Sequence, residues 1–179
     1  MSEMTSSSGL STDWFALYTS SRREKHVSKL LAERRIENFL PLYRAERHWD
    51  KRKPVTLDLP LFPNYIFVRA GQKASLLNVP GVLSIVGTER DPWPLPDHEI
   101  QAFRKAVNVC RLEPHIFFDA GERVRITSGP LAGMHGVLLR KKGNFRVVLT
   151  IDAISSSVAV EVDEADLAPA LLTGSSKVA

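Results

Sequence analysis

The side chains best suited to chemistry in this chain are the cations Arg22, Arg23, Lys25 and His26, with Lys29 one turn further on. Basic residues at the start of a helix oppose its macrodipole, so they gain little there from local stability. Their chemistry is anion binding, and phosphate is the natural partner of such a group. A plainly solvated helix face has the same composition. Nothing around them reads as catalytic. The five histidines His26, His48, His98, His115 and His135 are scattered, without metal-ligand spacing. Cys110 is the single cysteine, has no disulfide or metal-spaced partner, and reads as a small apolar filler. No phosphate-cradling glycine loop, Gly-x-Ser-x-Gly motif or paired-carboxylate motif is present. His135 beside Gly136 reads as an exposed turn residue rather than a base. The sequence therefore predicts no enzyme, no metal and no cofactor.

Composition narrows the class further. At 179 residues, with 44% hydrophobic and 25% charged residues, the chain is long enough for one domain or two small ones. Residues 1–107 carry 16 Lys and Arg against 12 Asp and Glu, and residues 108–179 carry 8 against 8. The whole positive excess lies in the first part, densest between Arg22 and Lys53. That bias is compatible with touching nucleic acid without demonstrating it. No apolar run approaches the roughly 20 residues of a membrane span. Residues 1–12 are polar and Ser-rich without a signal pattern, which predicts a disordered tail, no export and a cytoplasmic protein.

The elements that would position the cations follow from periodicity. Trp14 to Thr19 reads as a strand, and Arg22 to Arg35 as a helix with Val27, Leu30 and Leu31 on one face and Ser20 or Ser21 as its cap. Phe39 to Trp49, interrupted by Pro41, and Val55 to Leu59 predict a hairpin around a charged turn at residues 50–54. A short helix is expected over Lys73 to Asn78 and a strand over Leu83 to Val86. Asp97 is expected to cap a helix carrying Ile100, Phe103 and Val107 on one face. Residues 108–118 contain Pro114, lack periodicity and read as a linker. From residue 119 the pattern becomes short strands with glycine turns, which predicts a small closed barrel.

At the centre stands Pro60-Leu61-Phe62-Pro63-Asn64-Tyr65-Ile66-Phe67-Val68. The prolines exclude a helix, Asn64 suits a left-handed turn, and Tyr65 to Val68 has the composition of a strand covered on both faces. Tyr65 and Phe67 must point one way, Ile66 and Val68 the other. One pair fills a core, and the domain looks too small to cover the second. Either the strand is buried under helices or another protein covers its aromatic side.

Leu61 to Val68 resembles the strand signature of the NusG family of transcription elongation factors, in the form carried by its RfaH-like and UpxY-like paralogs. Housekeeping members more often read Phe-Pro-Gly-Tyr there. The order of elements over about residues 13–107 follows the family's N-terminal (NGN) domain. Gly121 to Val137 resembles a KOW motif, with Gly129, Gly133 and Gly136 at its glycine positions and Gly136 expected at a tight backbone bend. The resemblance implies an α+β fold: an NGN α/β-layer domain at 13–107, a linker at 108–118, a KOW β-barrel at 119–170 and a tail at 171–179.

What the resemblance implies about function is also residue-specific. Tyr18, Phe62, Pro63, Tyr65 and Phe67 would dock on the clamp helices of RNA polymerase's largest subunit. Arg22, Arg23, Lys25 and His26 would lie near the non-template DNA strand. The family's aromatic-Gly-Arg loop, which contacts ribosomal protein S10 and Rho, corresponds here to residues 151–157 and has neither aromatic nor arginine. That counts against S10 and more strongly against Rho, and leaves Ile151 and Ile154 as the apolar contact for S10 or another factor. The implied role is elongation and antitermination on specific long operons. The alternatives are a general housekeeping factor and a KOW-containing RNA-binding protein of translation, the latter disfavoured by the charge balance of residues 108–179.

Overall fold

The computed structural model describes residues 13–47, 53–69, 74–88, 91–115, 121–141 and 144–170. The expected tails at 1–12 and 171–179, and most of the charged turn at 50–54, lie outside them. Among the described residues, twelve strands and three α-helices follow in order. The first part holds β1 (Trp14–Thr19), α1 (Glu24–Glu33), β2 (Glu37–Phe39), β3 (Leu42–Arg47), β4 (Val55–Pro60) and β5 (Tyr65–Arg69). It continues with α2 (Ala74–Leu77), β6 (Val82–Ile85) and α3 (Asp97–Ala106). Then come β7 (Leu112–His115), β8 (Glu122–Ile126), β9 (His135–Lys141), β10 (Asn144–Ile151), β11 (Ser156–Val162) and β12 (Leu167–Pro169).

The first sheet has the order β2-β5-β1-β6, so β1 and β5 are both internal. Their antiparallel register sets Ala16 opposite Phe67, Leu17 opposite Ile66 and Tyr18 opposite Tyr65. Directly opposed residues share a face, so the alternation read from the sequence divides the sheet cleanly. Ile66, Val68, Phe15 and Leu17 join Val27 and Leu31 of α1 and Leu76 of α2 in one buried cluster. Trp14, Ala16 and Phe67 join Phe62 and the α3 residues Ile100, Phe103 and Ala106 in another. The second face is thus covered from within the chain, contrary to the expectation that the domain was too small to cover it. Phe62 meets both Phe67 and Phe103 edge-on, with centroids 5.6 and 5.5 Å apart. β3 and β4 form a separate two-stranded ribbon.

Two helix starts differ from expectation. No side chain caps α1, and its N-cap is Arg23. Ser21 instead gives its hydroxyl hydrogen to Asn64 Oδ1 at 3.1 Å. Asp97 is the first residue of α3 rather than its cap, which is Pro96. Its carboxylate accepts the Trp14 indole N–H at 2.9 Å and pairs with Arg69 at 3.4 Å. The indole hydrogen bond, with Arg69 and Arg104 nearby, holds Asp97 below the usual carboxylate range. Arg104 lies 4.8 Å from the Trp14 ring and 5.4 Å from that of Phe39, closing this edge of the core.

The second part is a six-stranded antiparallel sheet of order β12-β8-β9-β10-β11-β7. Among the described residues it is not the closed barrel expected, because β12 and β7 end the order without pairing each other. The strand responsible lies inside the stretch read as a linker. Leu112–His115 adds to β11, with Leu112 opposite Val160 and His115 opposite Ser157, and so occupies the edge that closure would use. Pro114 is tolerated there because β7 is an end strand and needs no donor on its outer side. The two parts share one apolar cluster. It runs from Phe62 and Phe67 through α3 and Leu112 to Val147, Leu149 and Val158 of the second sheet.

Candidate functional site

Asn64 is the point at which the proposed site residues are tied together. It sits between β4 and β5 with φ of +69°, a left-handed conformation that asparagine tolerates better than most residues. Its carbonyl accepts the Thr19 backbone N–H at 2.8 Å and the Thr19 hydroxyl at 3.2 Å, fixing it to the end of β1. Its own N–H donates to Glu24 Oε1 at 2.9 Å, and Glu24 is a buried carboxylate in the first turn of α1. With the Ser21 bond, the signature turn is pinned both to the end of β1 and to the start of the basic helix.

The arrangement presents two adjoining surfaces. On the sheet side, Tyr18 is 38% exposed, Tyr65 is half-buried and Pro63 is exposed. The two tyrosine rings lie 5.4 Å apart, and burial together with Tyr18 raises the Tyr65 phenol above its ordinary pKa. On the helix side, Arg22, Arg23, Lys25 and His26 are all exposed, with no acidic partner among the described residues. Arg22 itself adopts φ of +62°. Lys29 differs from them, because Glu33 lies 3.9 Å away on the same helix. An apolar aromatic patch beside uncompensated cations can bind an apolar protein surface and a phosphate backbone at once.

Three predicted groups need correction. Phe62 and Phe67 are 1% and 0% exposed, so they support the tyrosines from inside the core instead of facing a partner. Ile151 and Ile154, expected as an apolar contact in a loop, are also buried. Residues 152–154 form a 3-10 turn ended by Ser155 at φ of +46°, and both isoleucines belong to the shared cluster while Asp152 and Ser155 are exposed. Gly136 lies in β9 rather than at a bend. A Cβ there would stand 2.5 Å from Val147 Cγ1 and 2.6 Å from the Val148 oxygen, so close strand approach is what excludes a side chain. Gly129 and Gly133 do adopt positive φ, +76° and +89°, in the β8–β9 loop. Sequence reasoning missed Glu24 and read Ser21 as a helix cap, because both roles depend on a partner some forty positions away.

Residues 12–104, more than half of the chain, match the protein family described as "Transcription termination factor nusG". The chain belongs to the NusG family. Among its relatives is the "Transcription termination/antitermination protein NusG" of Deinococcus radiodurans, 28% identical, covering 89% of this chain and 100% of that one. The protein of the same description from Pseudomonas aeruginosa is 25% identical, covering 86% and 97%. That of Helicobacter pylori strain J99 is 28% identical, covering 67% and 76%. The solved structure "Domain interaction in Thermotoga maritima NusG" superposes with a TM-score of 0.55 at 21% identity, over 87% of this chain and 95% of that one, which supports the NusG-like fold. The relatives it matches are described as transcription termination and antitermination proteins. No helix among the described residues is long and apolar enough to cross a membrane.

Proposed function

We propose that the protein is an elongation and antitermination factor that binds RNA polymerase at the clamp helices of the largest subunit. Tyr18, Pro63 and Tyr65 form the docking face, with Phe62 and Phe67 holding it from behind. Arg22, Arg23, Lys25 and His26 contact the non-template DNA strand beside it. The second sheet is the KOW module, with Gly129, Gly133 and Gly136 as its motif glycines. Its partner, ribosomal protein S10 or another factor, meets surfaces other than Ile151 and Ile154. The observation that supports this reading is the Asn64 junction. It locks a tyrosine pair, Tyr18 exposed and Tyr65 half-buried, to the start of an uncompensated basic helix, so a protein and a nucleic-acid contact would form in fixed geometry.

The mechanism requires no catalysis. A factor that binds the closed clamp better than the open one shifts the population toward the elongating state, by no more than its differential affinity. Asn64 in place of glycine, and the loop at residues 151–157 without aromatic or arginine, favour a specialised factor that acts on few long operons.

The test separates the two contacts. Tyr18→Ala with Tyr65→Ala should weaken binding to core RNA polymerase by about 2 kcal/mol, the scale of anchor loss, without opening the core. Arg22→Ala with Arg23→Ala should leave that affinity intact while reducing crosslinking to the non-template strand and flattening its salt dependence. Normal polymerase binding by the tyrosine variant would overturn the docking face. Genome-wide occupancy on nearly every transcribed gene would make this a general factor.

A further inference from the structure

A cleft of about 460 Å³ opens on the second sheet, away from the tyrosine pair and the basic helix. Its apolar floor is formed by the half-buried Cys110, Pro130, Phe145 and Val162, lying over the buried Ile126, Leu131 and Val160. Its lining also includes Glu164 and Asp166 from the 3-10 turn between β11 and β12, and Asp163 just before that turn. These carboxylates have no ion pair among the described residues. Glu161, also in the lining, is already matched by Arg146 at 3.3 Å. The two walls are tied together by the Thr127 N–H, which donates to the Asp166 carbonyl at 2.8 Å, and the β8–β9 loop is held by the Gly133 N–H, which donates to the Ile126 carbonyl at 2.8 Å. A cleft held by such backbone bonds is preformed and costs little to order on binding.

We propose that this cleft docks a short cationic segment of a partner polypeptide. An apolar side chain would rest on the floor, with Lys or Arg side chains against Asp163, Glu164 and Asp166. Complementarity selects the occupant: three uncompensated carboxylates attract cations and repel a phosphate backbone, so nucleic acid is the wrong class for this surface. A lone metal ion would leave the apolar floor unused, whereas a peptide alternating apolar and basic residues covers floor and rim together. The cleft does not depend on polymerase docking, so this proposal stands or falls separately from that one.

The experiment is a titration of the full-length ¹⁵N-labelled chain with a hexapeptide alternating arginine and leucine, and with its glutamate-leucine counterpart. Amide shifts should move at Ser128, Gly129, Leu131 and Glu164–Asp166 with the first peptide only, and its affinity should fall as salt rises. Combining Asp163→Asn, Glu164→Gln and Asp166→Asn should weaken binding by about tenfold, the sum expected of three solvent-accessible charge contacts. The pair Asp163→Asn and Glu164→Gln, both at exposed positions, should give a smaller loss in the same direction and guards against misfolding of the triple variant. Unchanged affinity in both variants would overturn the proposal. Equal shifts with the glutamate peptide, with magnesium chloride alone or with a single-stranded oligonucleotide would also overturn it.

Discussion

At the residue scale, Asn64 carries more of the site than its size suggests. A β-branched residue cannot adopt φ of +69° without strain, and the left-handed conformation costs about 1–2 kcal/mol for residues other than glycine and asparagine. Asn64→Val should therefore lower stability by at least that amount, read as a shift in the urea midpoint of the full chain. Asn64→Gly keeps the backbone and loses only the Ser21 contact, so it should stay within about 1 kcal/mol of the parent. Equal losses in the two variants would mean that the side-chain bond, and not the dihedral, holds the turn. This turn was legible in the sequence because Pro-Asn before a β-branched and aromatic run has a local cause. Glu24 was not. A carboxylate in a first helical turn reads as an ordinary response to the dipole, and only the folded chain brings the Asn64 N–H to it.

At the element scale, what decided legibility was whether a pattern is local. β1, β5, α1 and α3 announce themselves by period, and the division of β5 into two faces follows from alternation alone. β7 does not, since four residues containing a proline have no period, and their strand exists only because β11 offers an edge. Adding that strand is also why the expected closure failed. Gly136 shows the same limit within one strand: a glycine before an apolar run suggests a bend, whereas the contact that excludes a side chain comes from β10. Gly136→Ala should cost about 1–3 kcal/mol as overpacking between β9 and β10. Combining it with Val147→Ala removes the nearest methyl, so the double variant should lose less than the sum of the two single changes in thermal unfolding. Additive losses would show that the Val148 carbonyl, rather than Val147, sets the separation.

At the scale of the whole molecule, the two parts meet through an apolar cluster that also brings like charges together. Glu99 of α3 is half-buried, and its carboxyl is raised above the ordinary range by burial, which outweighs the opposing charge of His98, with Asp152 of the second part adding the smallest, raising effect. An acid whose folded pKa is raised keeps its proton to higher pH in the folded chain than in the unfolded one. Folding stability then falls as pH rises from the ordinary glutamate value through the raised one, and remains lower above it. At neutral pH this carboxylate therefore opposes the folded arrangement, in contrast to Glu113. Burial would raise Glu113 too, but the hydrogen bond and charge of Arg146 outweigh it and hold that group low, so its contribution is lost only as pH falls into the acid range. Glu99→Gln should accordingly raise the melting temperature of the full chain at pH 7. Its advantage should shrink as the pH approaches about 4, where the unfolded glutamate also takes up its proton. Asp152→Asn should give a smaller gain of the same sign, because Asp152 is the lesser cause. Identical melting of Glu99→Gln and the parent at pH 7 would mean that Glu99 is solvated in solution. The contact between α3 and the turn at residues 152–154 would then be looser than the shared cluster implies.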